Sequence, residues 1–200
     1  MTFYNTRRVA GIFIDAQNCE TQDAPHVARA QQELSALFEN NKVAQMFVGI
    51  HWPFLRSHAN GDLNKVRGVV PARQPSFTIP NLATLYGKGG PDATTNPRFV
   101  KDVKKFGAAV ISGSDALECV LTNAIKLKNE PFRLDVYVVR EAIHSALESS
   151  VVEQAFADAG VKLVSSKDIT VENGAVYIKA PVMPPPVSRV RRIKDRPFIR

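Results

Sequence analysis

A chain of 200 residues, 44% hydrophobic and 22% charged with two cysteines, is long enough for one domain to bury roughly 70% of the surface its unfolded chain exposes. Apolar residues gathered in short runs exclude a wholly disordered chain, a collagen-like repeat and a coiled coil, and no run approaches the ~18 residues of a membrane span. The net charge of +7 is mostly a tail property: Arg189, Arg191, Arg192, Lys194, Arg196 and Arg200 against Asp195 carry five of those charges.

The elements follow in chain order. Arg7 and Arg8 precede an apolar run, Val9–Ile14, that is too short for a signal peptide and ends on Asp15, so it reads as a buried strand. From Pro25 to Asn40, apolar residues at 27, 30, 34, 37 and 38 make a helical stripe, and 43–50 is a second strand. Between His51 and Leu82 the periodicity fades among Pro53, Gly61, Pro71, Pro75 and Pro80, a long excursion of the kind that often carries function. A short strand, 83–86, leads to Gly87-Lys88-Gly89-Gly90. Asn96-Pro97 predicts a capped helix with Phe99, Val103 and Phe106 on its buried stripe, stopped by Gly107. A strand over 108–111 follows, then a helix capped by Ser114 or Asp115 with Leu117, Val120, Leu121 and Ala124 on its apolar face. Next come a strand over 134–139, a helix over 145–159 ended by Gly160, and a last parallel strand over 161–164.

Repeated strand–helix alternation with near-continuous apolar strands predicts a three-layer α/β domain, a mostly parallel Rossmann-like sheet with helices on both faces. Asn173-Gly174 between apolar runs predicts a small hairpin over 171–178. The domain is expected over 1–180. Residues 181–200 open Pro181-Val-Met-Pro184-Pro185-Pro186, which favours extended geometry and withholds backbone donors. They form a basic arm that suits a subunit contact or solubilisation, or else a nucleic acid or acidic partner. Cys19 and Cys119 make no disulfide framework, and a reducing cytoplasm is expected.

In open parallel sheets ligands bind beyond the carboxyl ends of the strands, and three reactive residues fall there: Asp15, Lys88 and Cys119. A thiol at a helix opening near a lysine is favoured as thiolate, a nucleophile at neutral pH. An aspartate within reach takes the thiol proton and later returns it to a leaving amine or activates a water. Backbone N–H groups near Ala116 and Cys119 suit a developing oxyanion. Each residue also has an ordinary structural role. Cys119 before Val120-Leu121 suits a small buried hydrophobe, Asp15 a helix cap, and Lys88 between glycines a solvated loop charge.

The chain resembles the isochorismatase-like cysteine hydrolases, a family that includes nicotinamidases and related amidohydrolases. The resemblance rests on Ile14-Asp15-Ala16-Gln17-Asn18 after the first strand, on Lys88 before a short loop and helix, and on Gly113 followed by five residues and Cys119-Val120. The strand ending Val138-Val139-Arg140-Glu141-Ala142, and Gly160 with Val161-Lys-Leu-Val-Ser-Ser, add to it, so that it covers about 9–169. It implies Asp15 as general acid/base, Lys88 as stabiliser of thiolate and transition state, and Cys119 as nucleophile of an acyl-enzyme, with a small amide or related C–N bond as substrate. Gln17, Trp52, Phe54 and Ala116 are the candidate substrate contacts, and a homo-oligomer is implied. The family's strand usually ends in Asp-Ala where Glu141-Ala142 stands here. Three departures stand out: Asp92-Ala93-Thr94 replaces the family's Ser-Ala-Phe, Ala116 stands where Thr is common, and Leu117 replaces a usual polar residue. Nicotinamidases also hold a metal on Asp-x-His and a distant His. Here His51 and His58 have no aspartate beside them, so no metal or other cofactor is expected.

Two readings compete. Metal-dependent ribonucleases of the PIN/NYN group also end their first strand in Phe-Ile-Asp-x-x-Asn, and Asp15, Asp92 and Asp115, with Asp102 in reserve, would be their carboxylates. Alternatively the chain is an inactive binding or structural subunit on the same fold, whose sign would be a filled pocket with Lys88 or Asp15 turned away from Cys119.

Overall fold

A computed structural model describes residues 3–5, 8–16, 24–49, 83–88 and 90–179. Six strands form one parallel sheet: β2 (Val9–Ile14), β3 (Ala44–Gly49), β4 (Thr84–Gly87), β5 (Ala108–Ser114), β6 (Asp135–His144) and β7 (Lys162–Val164). They lie in the order β4-β3-β2-β5-β6-β7. Strand β2 is central and buried on both faces, all six of its residues being buried. Alternate side chains serve the two layers: Ala10, Ile12 and Ile14 point into one core, and Val9 and Phe13 into the other. The chain runs outward from β2 through β3 to β4, and outward again from β5 to β7. The order therefore reverses between β2 and β5, the place where such sheets open a crevice.

One face is covered by α2 (Pro97–Val103), α3 (Leu121–Lys128) and α4 (Ser149–Asp158), which bury Phe99, Val103, Ala124, Leu127, Val152 and Phe156. The opposite face is covered by α1 (Pro25–Asn40), through Leu34 and Phe38. The buried polar groups of α1 are matched to the sheet. Ser35 Oγ donates to Gln45 Oε1 at 2.8 Å, Gln45 Nε2 donates to Ser35 O at 3.0 Å, and Gln31 Nε2 donates to Ala142 O at 2.9 Å. The layer beside α1 was not anticipated in full. The expected hairpin forms as β8 (Ile169–Glu172) and β9 (Ala175–Lys179), with Asn173 and Gly174 at positive φ in its turn. The N-terminal segment β1 (Phe3–Asn5) then adds antiparallel to β9 as a third strand. Ile169, Val176 and Ile178 of this small sheet pack on the second face of the large one.

Several boundaries differ from the sequence reading: β5 runs to Ser114, and α2 ends at Val103 with Phe106 beyond it. Strand β6 continues five residues past Val139, to His144, because its register with β5 slips between Ile111 and Gly113 and pairing resumes at Ile143 and His144. The helix expected from 145 consequently begins at Ser149. The three-layer α/β architecture is as expected. The arm 181–200 lies outside the described residues. No helix among the described residues is long and apolar enough to cross a membrane.

Candidate active site

Three strands deliver the three reactive side chains to one edge. Asp15 directly follows β2 at φ 47, a left-handed conformation that aspartate tolerates better than most residues. Its N–H still extends the ladder, donating to Val48 O at 2.7 Å. Lys88 follows β4, two strands from β2, so its Cα row stands about 10 Å away. Only a long side chain spans that gap, and the Lys88 ammonium arrives 2.6 Å from Asp15 Oδ2 with both side chains almost wholly buried.

Cys119 comes from beyond β5. Asp115 accepts a hydrogen bond from Leu117 N at 2.9 Å and starts a wide π-type turn, Ala116–Val120, that continues into α3. The sequence reading placed Cys119 on a regular helix. The extra residue of the π turn, with Leu121 N reaching back to Ala116 O, instead directs the thiol over the sheet edge, an arrangement common at functional sites. Lys88 Nζ donates to Cys119 Sγ at 3.2 Å. Gly113 is required here on two counts. Its φ is +146, and a Cβ would stand 2.0 Å from Ile14 O, inside the backbone that carries Asp15.

Electrostatics departs from the expectation of a resting thiolate. Burial pushes the Cys119 thiol above its ordinary range; Lys88 pulls it down, but the Asp15 carboxylate pushes it up again, and the net direction is upward. The helix opening and one lysine do not outweigh desolvation plus a neighbouring anion. At rest Cys119 is a thiol beside a lysine and a carboxylate.

Ala116 is fully buried in the same turn and lines a cleft of about 290 Å³ between the start of α1, the end of β6 and the start of α4. Val27, Ile143 and Leu163 form its apolar wall, and Arg140, ion-paired with Glu153 at 3.3 Å, stands at its rim. Glu141, in the place of the family's aspartate, accepts from Ser165 Oγ and Ser166 N; against partial burial, these bonds hold its carboxyl below the usual range. Gln17, Trp52 and Phe54, together with Asn18, His51 and His58, lie outside the described residues.

The carboxylates of the nuclease reading are occupied separately. Asp92 accepts from Thr94 N and Oγ1 and pairs with Lys126 at 2.7 Å; against partial burial, Lys126 and Thr94 hold its carboxyl below the usual range. Asp115 caps its own turn, and Asp102 accepts from Tyr86 Oη at 3.0 Å and pairs with Lys105. Among the described residues no three His, Cys, Asp or Glu side chains converge as a metal site. Of the sign expected for an inactive shell, Lys88 is not turned away: it touches both Asp15 and Cys119.

Sequence reasoning missed Asn123, which is wholly buried on α3 and hydrogen-bonded to the Cys119 carbonyl and to the loop after Lys88. One signal was available: it stands on the apolar stripe between Val120 and Leu127, where an unpaired amide is costly.

The sheet order, the three layers and the reversal at β2/β5 give a three-layer α/β fold that solved isochorismatase-family proteins and MAR1 ribonucleases share. Three solved structures illustrate the likeness. An isochorismatase family protein from Desulfovibrio vulgaris is 18% identical with TM-score 0.58, over 80% of this chain and 94% of that one. N-carbamoylsarcosine amidase from Thermoplasma acidophilum is 14% identical with TM-score 0.61, over 81% and 98%. MAR1 ribonuclease from Caenorhabditis elegans is 16% identical with TM-score 0.60, over 83% and 81%. At such identities the likeness establishes the fold. No protein-family model and no curated protein sequence matches the chain.

Proposed function

We propose that the chain is a cysteine-dependent hydrolase of a small amide or related C–N bond, acting through an acyl-enzyme on Cys119. The observation that carries this reading is the buried Lys88 ammonium, 2.6 Å from Asp15 and 3.2 Å from the Cys119 sulfur. Asp15 takes the thiol proton as sulfur attacks the carbonyl carbon, and the C=O pair moves onto oxygen, where the N–H groups of Ala116 and Cys119 receive it. As the C–N bond breaks, Asp15 returns the proton to the leaving nitrogen. A water then gives Asp15 its proton while its oxygen attacks the thioester, and the acid departs as sulfur regains a proton. Lys88, in contact with the sulfur, steadies the thiolate. The non-reacting part of the substrate would lie in the cleft beside Ala116, with Gln17, Trp52 and Phe54 as further proposed contacts.

The test is a panel of small amides, ureido compounds and carbamoyl amino acids, read by ammonia or amine release and by intact mass for an adduct on Cys119. Turnover lost in Cys119→Ala supports the mechanism, and turnover retained there ends it. A second reading, RNA as substrate, is favoured by the fold likeness to the C. elegans ribonuclease together with the +7 charge. RNA cleavage that survives Cys119→Ala and requires Mn²⁺ would replace the thiol reading with that one. A homo-oligomer, a cytoplasmic location, and a nucleic acid or acidic partner for 181–200 belong to the same proposal. Light scattering and filter binding at graded salt test the oligomer and the arm.

A further inference from the structure

Asn123 has no solvent exposure and sits in the first turn of α3. Burying a carboxamide costs free energy unless its donors and acceptor are matched, and here they are. Nδ2 donates to Pro91 O at 2.7 Å and to Cys119 O at 2.7 Å, while Oδ1 accepts from Ala93 N at 2.8 Å. Both amide hydrogens face carbonyls and the oxygen faces an N–H, so the orientation is fixed. An aspartate would set a carboxylate oxygen against two carbonyls, and a leucine would leave three backbone groups unpaired. The partners belong to two segments: Pro91 and Ala93 to the loop that starts at Lys88, and Cys119 O to the turn that presents the thiol.

We infer that Asn123 is a positioning residue for the Lys88–Cys119 contact, a bridge that sets lysine and sulfur at hydrogen-bonding distance. The inference rests on the proposed thiol chemistry for its purpose. A second tether of the same loop to α3, Asp92 to Lys126 at 2.7 Å, is half exposed and holds the chain together without touching Cys119. Loss of Asn123 therefore loosens the contact before it loosens the fold.

The experiment is the pH profile of Cys119 alkylation by iodoacetamide, followed by peptide mass with Cys19 tracked separately, in the full chain. Variants are Asn123→Ala, Lys88→Ala, the double variant, and Lys126→Ala as control. Because Lys88 pulls the thiol pKa down, Lys88→Ala should move the profile upward. Asn123→Ala should move it upward by about one pH unit, roughly tenfold less thiolate below the midpoint, and add nothing in the Lys88→Ala background. Lys126→Ala should leave the profile in place. Asn123→Ser reaches only Cys119 O, not Pro91 or Ala93; it should shift the profile too, and it decides the matter where Asn123→Ala fails to fold. A profile unmoved by Asn123→Ala or →Ser, or a shift that persists without Lys88, overturns the positioning role alone. A profile unmoved by Lys88→Ala overturns both this role and the thiol reading.

Discussion

Replacing Asp15 with asparagine should make Cys119 more reactive toward an alkylating reagent while abolishing turnover. Asp15 raises the thiol pKa both through space and through a hydrogen bond. Its carboxylate and the sulfur contact the same Lys88 Nζ, at 2.6 and 3.2 Å, so they are at most about 6 Å apart. At an effective dielectric near 20, unit charges at that separation repel by about 3 kcal/mol, roughly two pK units. Asp15→Asn removes the repulsion and leaves Lys88 with the sulfur as its remaining ionisable partner. Wherever the thiol is still the main form in both proteins, the thiolate fraction should rise, by up to about a hundredfold for that repulsion. A thiolate of lower pKa is intrinsically less nucleophilic, and a Brønsted slope of about 0.5 returns about tenfold of that gain. The expected result is iodoacetamide labelling of Cys119 about tenfold faster than in the parent protein at pH 7, with Cys19 unchanged and no amide hydrolysis. Equal or slower labelling, in protein whose melting curve shows it folded, would refute the electrostatic account of the site.

Four further outcomes are expected. Cys119→Ala should cost about 1 kcal/mol by denaturant titration, since it removes one small buried group, while amide turnover disappears; a loss several times larger would mark the cysteine as structural. Gly113→Ala should cost roughly 3 kcal/mol or more, because its Cβ would meet Ile14 O at 2.0 Å, and near-parental stability would show that β2 and β5 can part. Burial and the bond to Asp102 push the Tyr86 phenol from 10.0 up to about 12, so its contribution is complete below pH 10 and lost as pH rises through 12. The parent should lose up to about 2–3 kcal/mol more than Tyr86→Phe across that window, and parallel stability curves would contradict this. The raised Cys119 thiol acts with the same sign: its contribution is present below the ordinary thiol pKa near 8.5 and lost above it. Cys119→Ala should therefore flatten the first part of the alkaline decline, as read by melting temperature against pH.

What the sequence made legible follows from how local each signal is. Runs such as Val9–Ile14 and Ala108–Ile111 are apolar because both faces of the sheet are covered, so continuous hydrophobicity located the strands and alternation of elements gave their parallel sense. Placing Asp15, Lys88 and Cys119 at strand ends then required only the rule that such ends share one edge. The departures came from tertiary effects. The extension of β6 to His144 depends on a register slip against β5, and no pattern in 140–144 announces a partner's irregularity. The third strand of the small sheet, Phe3–Asn5, is too short to be distinguished from a loop without its partner β9. The thiol's direction of shift was misjudged because lysine and helix opening are visible in the chain, whereas desolvation depends on what packs around the sulfur. Asn123 was visible as a polar residue on an apolar stripe, but its three partners lie up to 32 positions away.

Charge conservation explains why such a site can be buried at all. With thiol, carboxylate and ammonium together, the buried set is neutral; moving the proton from sulfur to Asp15 leaves thiolate, carboxylic acid and ammonium, again neutral. A second anion appears only if the proton leaves the site, and low-dielectric surroundings penalise that state most strongly. Burial, which holds the resting thiol pKa up, therefore opposes ionisation to solvent more than internal transfer to Asp15. In the proposed reaction the proton is retained for the leaving nitrogen, and Lys88 stabilises whichever neighbour carries the negative charge. Removing the lysine would leave the transferred state with an uncompensated thiolate, and removing the carboxylate would leave a sulfur that ionises more readily with no neighbour to hold its proton for the leaving nitrogen. The first change should slow alkylation and the second should speed it, although each stops hydrolysis. That opposition distinguishes a shared-proton site from a cysteine activated by positive charge alone.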